Sequence, residues 1–144
     1  SMGISCCATG WSKQLSVNSR HMRTFKELEV WKQTRELRKE IAQLVKRFPT
    51  DEKYKLTDQM IRAARSVTAN IAEGYGRFHY QENIQFCRIS RGSLTELQDH
   101  LTVAVDEGYI DESEEKLFDI RIEECIRILN GYINYLLKSK LTKP

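Results

Sequence analysis

Proline is nearly missing from this chain: of 144 residues, only Pro49 and Pro144 are proline. With seven glycines besides, breakers are too few for a linker-rich or disordered polypeptide. Long apolar runs are missing as well. No stretch approaches the roughly 20 residues that a membrane-spanning helix needs. Residues 1–21 lack the charged segment and apolar core of a secretory signal. Cysteine is confined to positions 6, 7, 87 and 125, with no C-x-x-C, and the three histidines are dispersed. No zinc site, other metal centre or cofactor is therefore expected. Adjacent Cys6 and Cys7 are poorly placed to pair with each other, and Cys87 and Cys125 fall on apolar helix stripes. That pattern points to buried, reduced thiols in a cytoplasmic protein that does not enter a membrane.

What is present is charge. The composition is 40% hydrophobic and 30% charged, as in an ordinary globular chain, with a net charge of +3. The length favours one domain. Residues 1–91 hold 17 Lys/Arg and 9 Asp/Glu, whereas residues 92–144 hold 6 and 11, so a +8 part is followed by a −5 part. Such asymmetry suits a basic face for polyanions or head-to-tail subunit contacts. It is equally what solvated helix surfaces produce.

The chain is organised around Leu56 to Arg77, LTDQMIRAARSVTANIAEGYGR. Leu56, Met60, Ala64, Val67 and Ile71 recur at helical spacing and form one apolar stripe. Ala63, Ala64, Ala69 and Ala72 let neighbouring helices come close. Gly74 and Gly76 are expected to stop the helix by adopting φ > 0. Before it, a first helix is expected from about Phe25 to Arg47, with Val30, Leu37, Ile41, Leu44 and Phe48 inward and Pro49 preventing continuation. Trp31, Arg38 and Val45 widen that stripe.

A third helix is expected from about Gln81 to Glu107, on Ile84, Cys87, Leu94, Leu97, Leu101 and Val105. Gly92, flanked by Ser90 and Ser93, suggests a narrow point within it, and Gly108 a stop. Asp111 with Glu114 three residues later reads as a capping arrangement for a fourth helix. Its seam is Phe118, Ile122, Cys125, Leu129, Tyr132 and Leu136, with Ile126, Ile133 and Leu137 as surplus apolar surface. Residues 1–22 have no helical or strand period and read as a leader or upstream extension; Trp11 in it is a candidate for docking on a partner. Residues 23–144 then form an all-α, up-down-up-down four-helix bundle.

Little in the chain points to catalysis. The cysteines lie on core stripes, and no motif surrounds His79 or His100. GYGR lacks the spacing and preceding strand of a phosphate loop. Glu73 and Glu96 have the option of a carboxylate pair between the second and third helices. With Arg62 and Arg65 at hand, a structural ion-pair network of Arg62, Arg65, Glu73 and Glu96 that fixes helix register is expected instead. For binding, Lys32, Arg35, Lys39 and Lys46 lie on the outer face of the first helix, interleaved with glutamates. With Arg77 and Arg88 they are the candidates for contacting phosphates. The loop Tyr75–Tyr80, YGRFHY, suits stacking on unpaired bases, or packing of the loop on a helix end.

Four segments carry a resemblance: FKELEVWK (Phe25–Lys32), FPTDEKYKLTDQ (Phe48–Gln59), IRAARSVTANIAEGYGR (Ile61–Arg77) and SRGSLTELQDHL (Ser90–Leu101). Together they resemble the bacterial 23S ribosomal RNA intervening-sequence proteins, over about residues 23–140. The resemblance implies a four-helix bundle that assembles as a ring-shaped homopentamer and a nucleic-acid role, RNA or DNA. It also implies genes inside ribosomal RNA insertions, with free-standing copies elsewhere. A similar fold serves the accessory protein of diversity-generating retroelements, which assists a reverse transcriptase. A protein-interaction adaptor of that kind is the alternative. Arg91 departs from the family pattern, which has alanine before Gly92, and adds a positive charge there.

Overall fold

A computed structural model describes residues 24–142 as four helices joined by short turns, with no strand among the described residues. They are α1 (Glu29–Val45), α2 (Leu56–Gly76), α3 (Tyr80–Asp106) and α4 (Glu112–Thr142). The expected leader at 1–22, with Trp11, Cys6 and Cys7, lies outside the described residues. Single 3-10 turns at Phe25–Glu27 and Thr50–Glu52 precede α1 and α2. α2 and α3 each pack against the helix before and after them, and α1 also meets α4. α1 and α3 therefore lie on one diagonal, as an antiparallel bundle requires.

Each end is set by local chemistry. The Thr24 hydroxyl accepts from the Lys26 N–H, and Leu28 is extended. α1 thus starts at Glu29, four residues later than its periodicity suggests, and the Phe25 ring meets Trp31 edge-on at 5.2 Å. Pro49 follows the end of α1, as expected. The Glu52 carboxylate accepts the Leu56 N–H at 3.0 Å and the Tyr109 hydroxyl at 2.8 Å. One side chain thereby caps α2 and ties two loops together at that end of the bundle. Gly108 at φ 78 closes α3, with Tyr109 N–H reaching back to the Ala104 carbonyl at 2.9 Å. Asp111 Oδ1 accepts the Glu114 N–H at 2.8 Å and caps α4.

The turn between α2 and α3 is made differently than its glycines suggest. Neither Gly74 nor Gly76 has a positive φ; the left-handed residue is Phe78, at φ 54. Gly74 lies inside α2 and is needed for proximity. A Cβ there would sit 2.7 Å from Asn83 Oδ1, 2.9 Å from Phe86 Cβ and 3.1 Å from the Asn83 carbonyl. α3 crosses here at backbone distance. The seam continues through Ser90, which donates to the Val67 carbonyl at 2.8 Å, and Ser93, which meets the Ser66 hydroxyl at 2.9 Å. Gly92 does not take part. It is exposed, and a Cβ added there would meet nothing within 4 Å, so the two serines make the narrow point.

The core is apolar and closed. Leu37, Ile41, Met60, Val67, Ile71, Leu94, Leu97, Leu101, Ile122 and Leu129 are all fully buried. Inside it Asn83 donates to the Tyr132 hydroxyl at 3.2 Å and Cys87 lies 3.6 Å from Asn83 Oδ1. Cys87 and Cys125 are buried free thiols, and burial pushes the pKa of each up to about 12. Ile133, expected as surplus surface, is 4% exposed and belongs to the core. Apolar exposure on α4 falls on Leu117 (64%) and Ile120 (51%), and to a lesser degree on Leu137.

Candidate nucleic-acid interface

α1 buries Leu37, Ile41 and Leu44 on one side, which leaves Lys32, Arg35 and Lys39 on the other, with Lys46 just past its end; all four are exposed. Lys32 and Arg35 line a shallow groove together with Lys26, Arg38 and Trp31. Arg35 places its guanidinium 5.7 Å above the Trp31 ring, a cation–π contact that spreads positive charge over an aromatic surface. Glu29, Gln33 and Glu36 share the groove. Glu29 accepts from Gln33 at 2.8 Å, and Glu36 is 3.5 Å from Lys39. Lys46 lies at the other end of α1, away from this cluster.

Arg77 and Arg88 stand elsewhere. Arg77 pairs with Glu73 at 3.2 Å and covers the Phe86 ring at 5.2 Å. Beside it Phe78 is 87% exposed, although Tyr75 lies 6.2 Å from its ring. The loop therefore presents an aromatic side chain to solvent. Arg88 is exposed on α3, the helix diagonal to α1. It cannot join the α1 cluster on one ligand-facing surface within a single subunit.

The expected network of Arg62, Arg65, Glu73 and Glu96 does not form. All four are exposed, and pairing stays within each helix: Arg62 with Asp58 at 3.0 Å, Glu73 with Arg77, Glu96 with His100 at 2.9 Å. The reason is geometric. The α2–α3 seam is closed by serines and Gly74, which brings the backbones too close for long charged side chains between them. The ion pairs that cross helices join α1 and the turn after it to α4 instead. Arg121 forks onto Glu40 at 2.7 and 3.2 Å, and Arg47 reaches Glu114 at 2.9 Å. Neither pair is legible locally, since the partners lie 81 and 67 residues apart.

Two arginines escape sequence reading for a different reason. Arg38 occupies an apolar-stripe position, and Arg65 is expected in the ion-pair network. Both line a notch between α1 and α2 together with Lys39. Arg38 donates to the Thr68 hydroxyl at 2.8 Å. Only the partner across the helix pair, Thr68, reveals that role.

Charge is divided between the two halves of the bundle. Residues 24–79 carry 12 Lys/Arg and 8 Asp/Glu, a net +4, whereas residues 80–142 carry 7 and 12, a net −5. On α4 the Asp119 carboxyl is raised by partial burial and by the neighbouring Glu115 and Glu123. Glu52 at the loops is held below the usual carboxylate range by the Leu56 N–H and the Tyr109 hydroxyl. That hydrogen bond and burial push Tyr109 up to about 12.

Among the described residues no group of three or more His, Cys, Asp or Glu is placed to hold a metal ion, and no helix is long and apolar enough to cross a membrane. A family model described as 23S rRNA-intervening sequence protein matches residues 26–131, which takes in α1 to α3 and most of α4. No curated protein matches the chain.

Proposed function

We propose, for a chain that belongs to the 23S rRNA-intervening sequence protein family, a cytoplasmic, non-enzymatic role in binding RNA or other structured nucleic acid. The observation that carries it is the α1 groove, where Lys26, Lys32, Arg35 and Arg38 surround Trp31. Cations on one face contact phosphates without reading sequence, and an aromatic platform favours unpaired segments. The exposed Phe78 beside Arg77 is a second place for a looped base to stack. Buried cysteines whose thiols are pushed up to about 12 are unsuited to nucleophilic work near neutral pH, in keeping with a binding role.

Self-association belongs to the same proposal. Leu117 and Ile120 expose apolar surface on α4, and in a homopentameric ring each subunit would add a copy of the α1 groove, so weak contacts would combine by avidity. The same two side chains favour a second reading, an adaptor that docks a protein such as a reverse transcriptase through an apolar helix face. Electrophoretic mobility shifts with a duplex, a hairpin and a single strand at two salt concentrations separate the two. RNA binding predicts shifts that weaken steeply with salt. If none of the three shifts at low salt, the adaptor reading takes its place. Light scattering that shows a ~17 kDa monomer at micromolar concentration contradicts the oligomer.

A further inference from the structure

We propose that the notch between α1 and α2 is a seat for one phosphodiester of single-stranded RNA, gripped by Arg38, Lys39 and Arg65. This rests on the nucleic-acid reading above and gives it a defined contact. The notch has a volume of about 150 Å³ and a floor of Ile41, Ala42, Ile61 and Ala64. Water occupies about 30 Å³ per molecule in the liquid, so there is room for a phosphate and part of the attached ribose, but not for a whole nucleotide.

The arrangement of the three cations carries the inference. Arg38 is half-buried, and its hydrogen-bond partner is neutral: Nη1 donates to Thr68 Oγ1 at 2.8 Å. The Thr68 hydroxyl in turn donates to the Arg65 carbonyl at 3.2 Å. One edge of the guanidinium is thereby fixed, and its remaining N–H groups keep a set direction. Among the described residues neither Arg38 nor Arg65 is in an ion pair. The carboxylates around the notch are engaged with other cations. Glu40 turns to Arg121 on α4, Asp58 to Arg62, and Glu36 to Lys39 at the rim. Two guanidiniums without a carboxylate, one of them pre-oriented, match the forked geometry of a phosphate. The apolar floor suits the ribose carbons beside it. The notch shares Arg38 with the Trp31 groove, so one strand can run from the aromatic platform into it.

The test is the salt dependence of binding to a labelled single-stranded oligouridine, measured by fluorescence anisotropy. Arg65→Ala and Arg38→Gln combined should lower the log–log slope by about 1.4, or 0.7 per lost phosphate contact. The introduced glutamine retains a donor for Thr68; should the pair fold poorly, Arg65→Ala alone should lower the slope by about 0.7. Arg62→Ala is the control, one turn away, exposed and paired with Asp58; it should leave the slope unchanged. Ala42→Leu changes no charge and fills the notch, and it should weaken binding several-fold; unchanged affinity would put the phosphate outside the notch. If the arginine variants bind as the wild type does, the notch is refuted while the RNA reading stands. Equal losses from Arg62→Ala and Arg65→Ala refute it too, since they indicate a diffuse field. If the wild type does not bind at low salt, the RNA reading falls and the notch with it.

Discussion

α2 has two neighbours and meets them in opposite ways. Toward α3 it offers Gly74, Ser66 and the Val67 carbonyl, and α3 answers with Asn83, Phe86, Ser90 and Ser93 at contact distance. Toward α1 it leaves a notch rimmed by Arg65, Arg38 and Lys39. One side has no space left and no charge; the other has space and charge without neutralising carboxylates. Small residues and short hydroxyl bonds fix register at low entropic cost, whereas cations held near a groove contribute little to folding and remain available to a ligand. Stability is concentrated on one side of the helix and binding on the other.

The largest way to break that contrast is on the closed side. Gly74→Ala places a methyl group 2.9 Å from Phe86 Cβ and 3.1 Å from the Asn83 carbonyl, atoms close to or within the backbone that cannot swing away. Overpacking of this kind costs about 1–3 kcal/mol, more than the roughly 1 kcal/mol that Ala gains over Gly in a helix. Urea denaturation should show a lower midpoint, and an unchanged or higher midpoint would mean that the seam can open at little cost. Next comes Ser90→Ala, which removes the fully buried bond to the Val67 carbonyl and should cost about 1 kcal/mol in the same assay.

On the charged surfaces the effects should be smaller. Glu40→Gln breaks the fork to Arg121, a partly exposed pair, and should cost no more than about 1 kcal/mol. A thermal melt that drops far below that scale would show α1 to be held mainly by this bridge. Asp119→Asn should slightly raise the melting temperature at neutral pH. Its carboxyl is raised in the folded state, so the native form binds the proton more tightly than the unfolded chain. Its charge therefore opposes folding above the folded-state pKa, and that penalty disappears as pH falls through it. The gain from Asn should shrink on acidification, and a gain independent of pH contradicts this cause. Smallest of all is Glu73→Gln, an exposed i,i+4 partner of Arg77, for which a change of only a few tenths of a kcal/mol is expected.

A register-fixing network through Glu73 would have made that last effect larger, and its absence shows what the sequence could carry. Features decided within a few residues were legible: the Asp111–Glu114 cap, the Gly108 stop, the α4 seam through Ile122, Cys125 and Leu129. Features decided by a partner were not. Gly74 looks alike in sequence whether it is needed for a turn or for proximity, and only Asn83 and Phe86 settle the matter. Arg38 fits an apolar stripe by spacing, and its stem does lie half-buried, but its head is claimed by Thr68. Of the candidate phosphate contacts, Lys32, Arg35 and Lys39 share one face because one helix sets their spacing. Arg88 stands apart because bundle topology places its helix diagonally opposite.

The most direct measurement is the salt dependence of single-stranded RNA binding by the wild type and by Lys32→Gln/Arg35→Gln/Lys39→Gln. These side chains are exposed, so the stability of the variant should stay within about 0.5 kcal/mol of the wild type. Three lost phosphate contacts should lower the log–log slope by about 2. Equal slopes for the two proteins, with both folded, would contradict the claim that the open side of the bundle is its binding face.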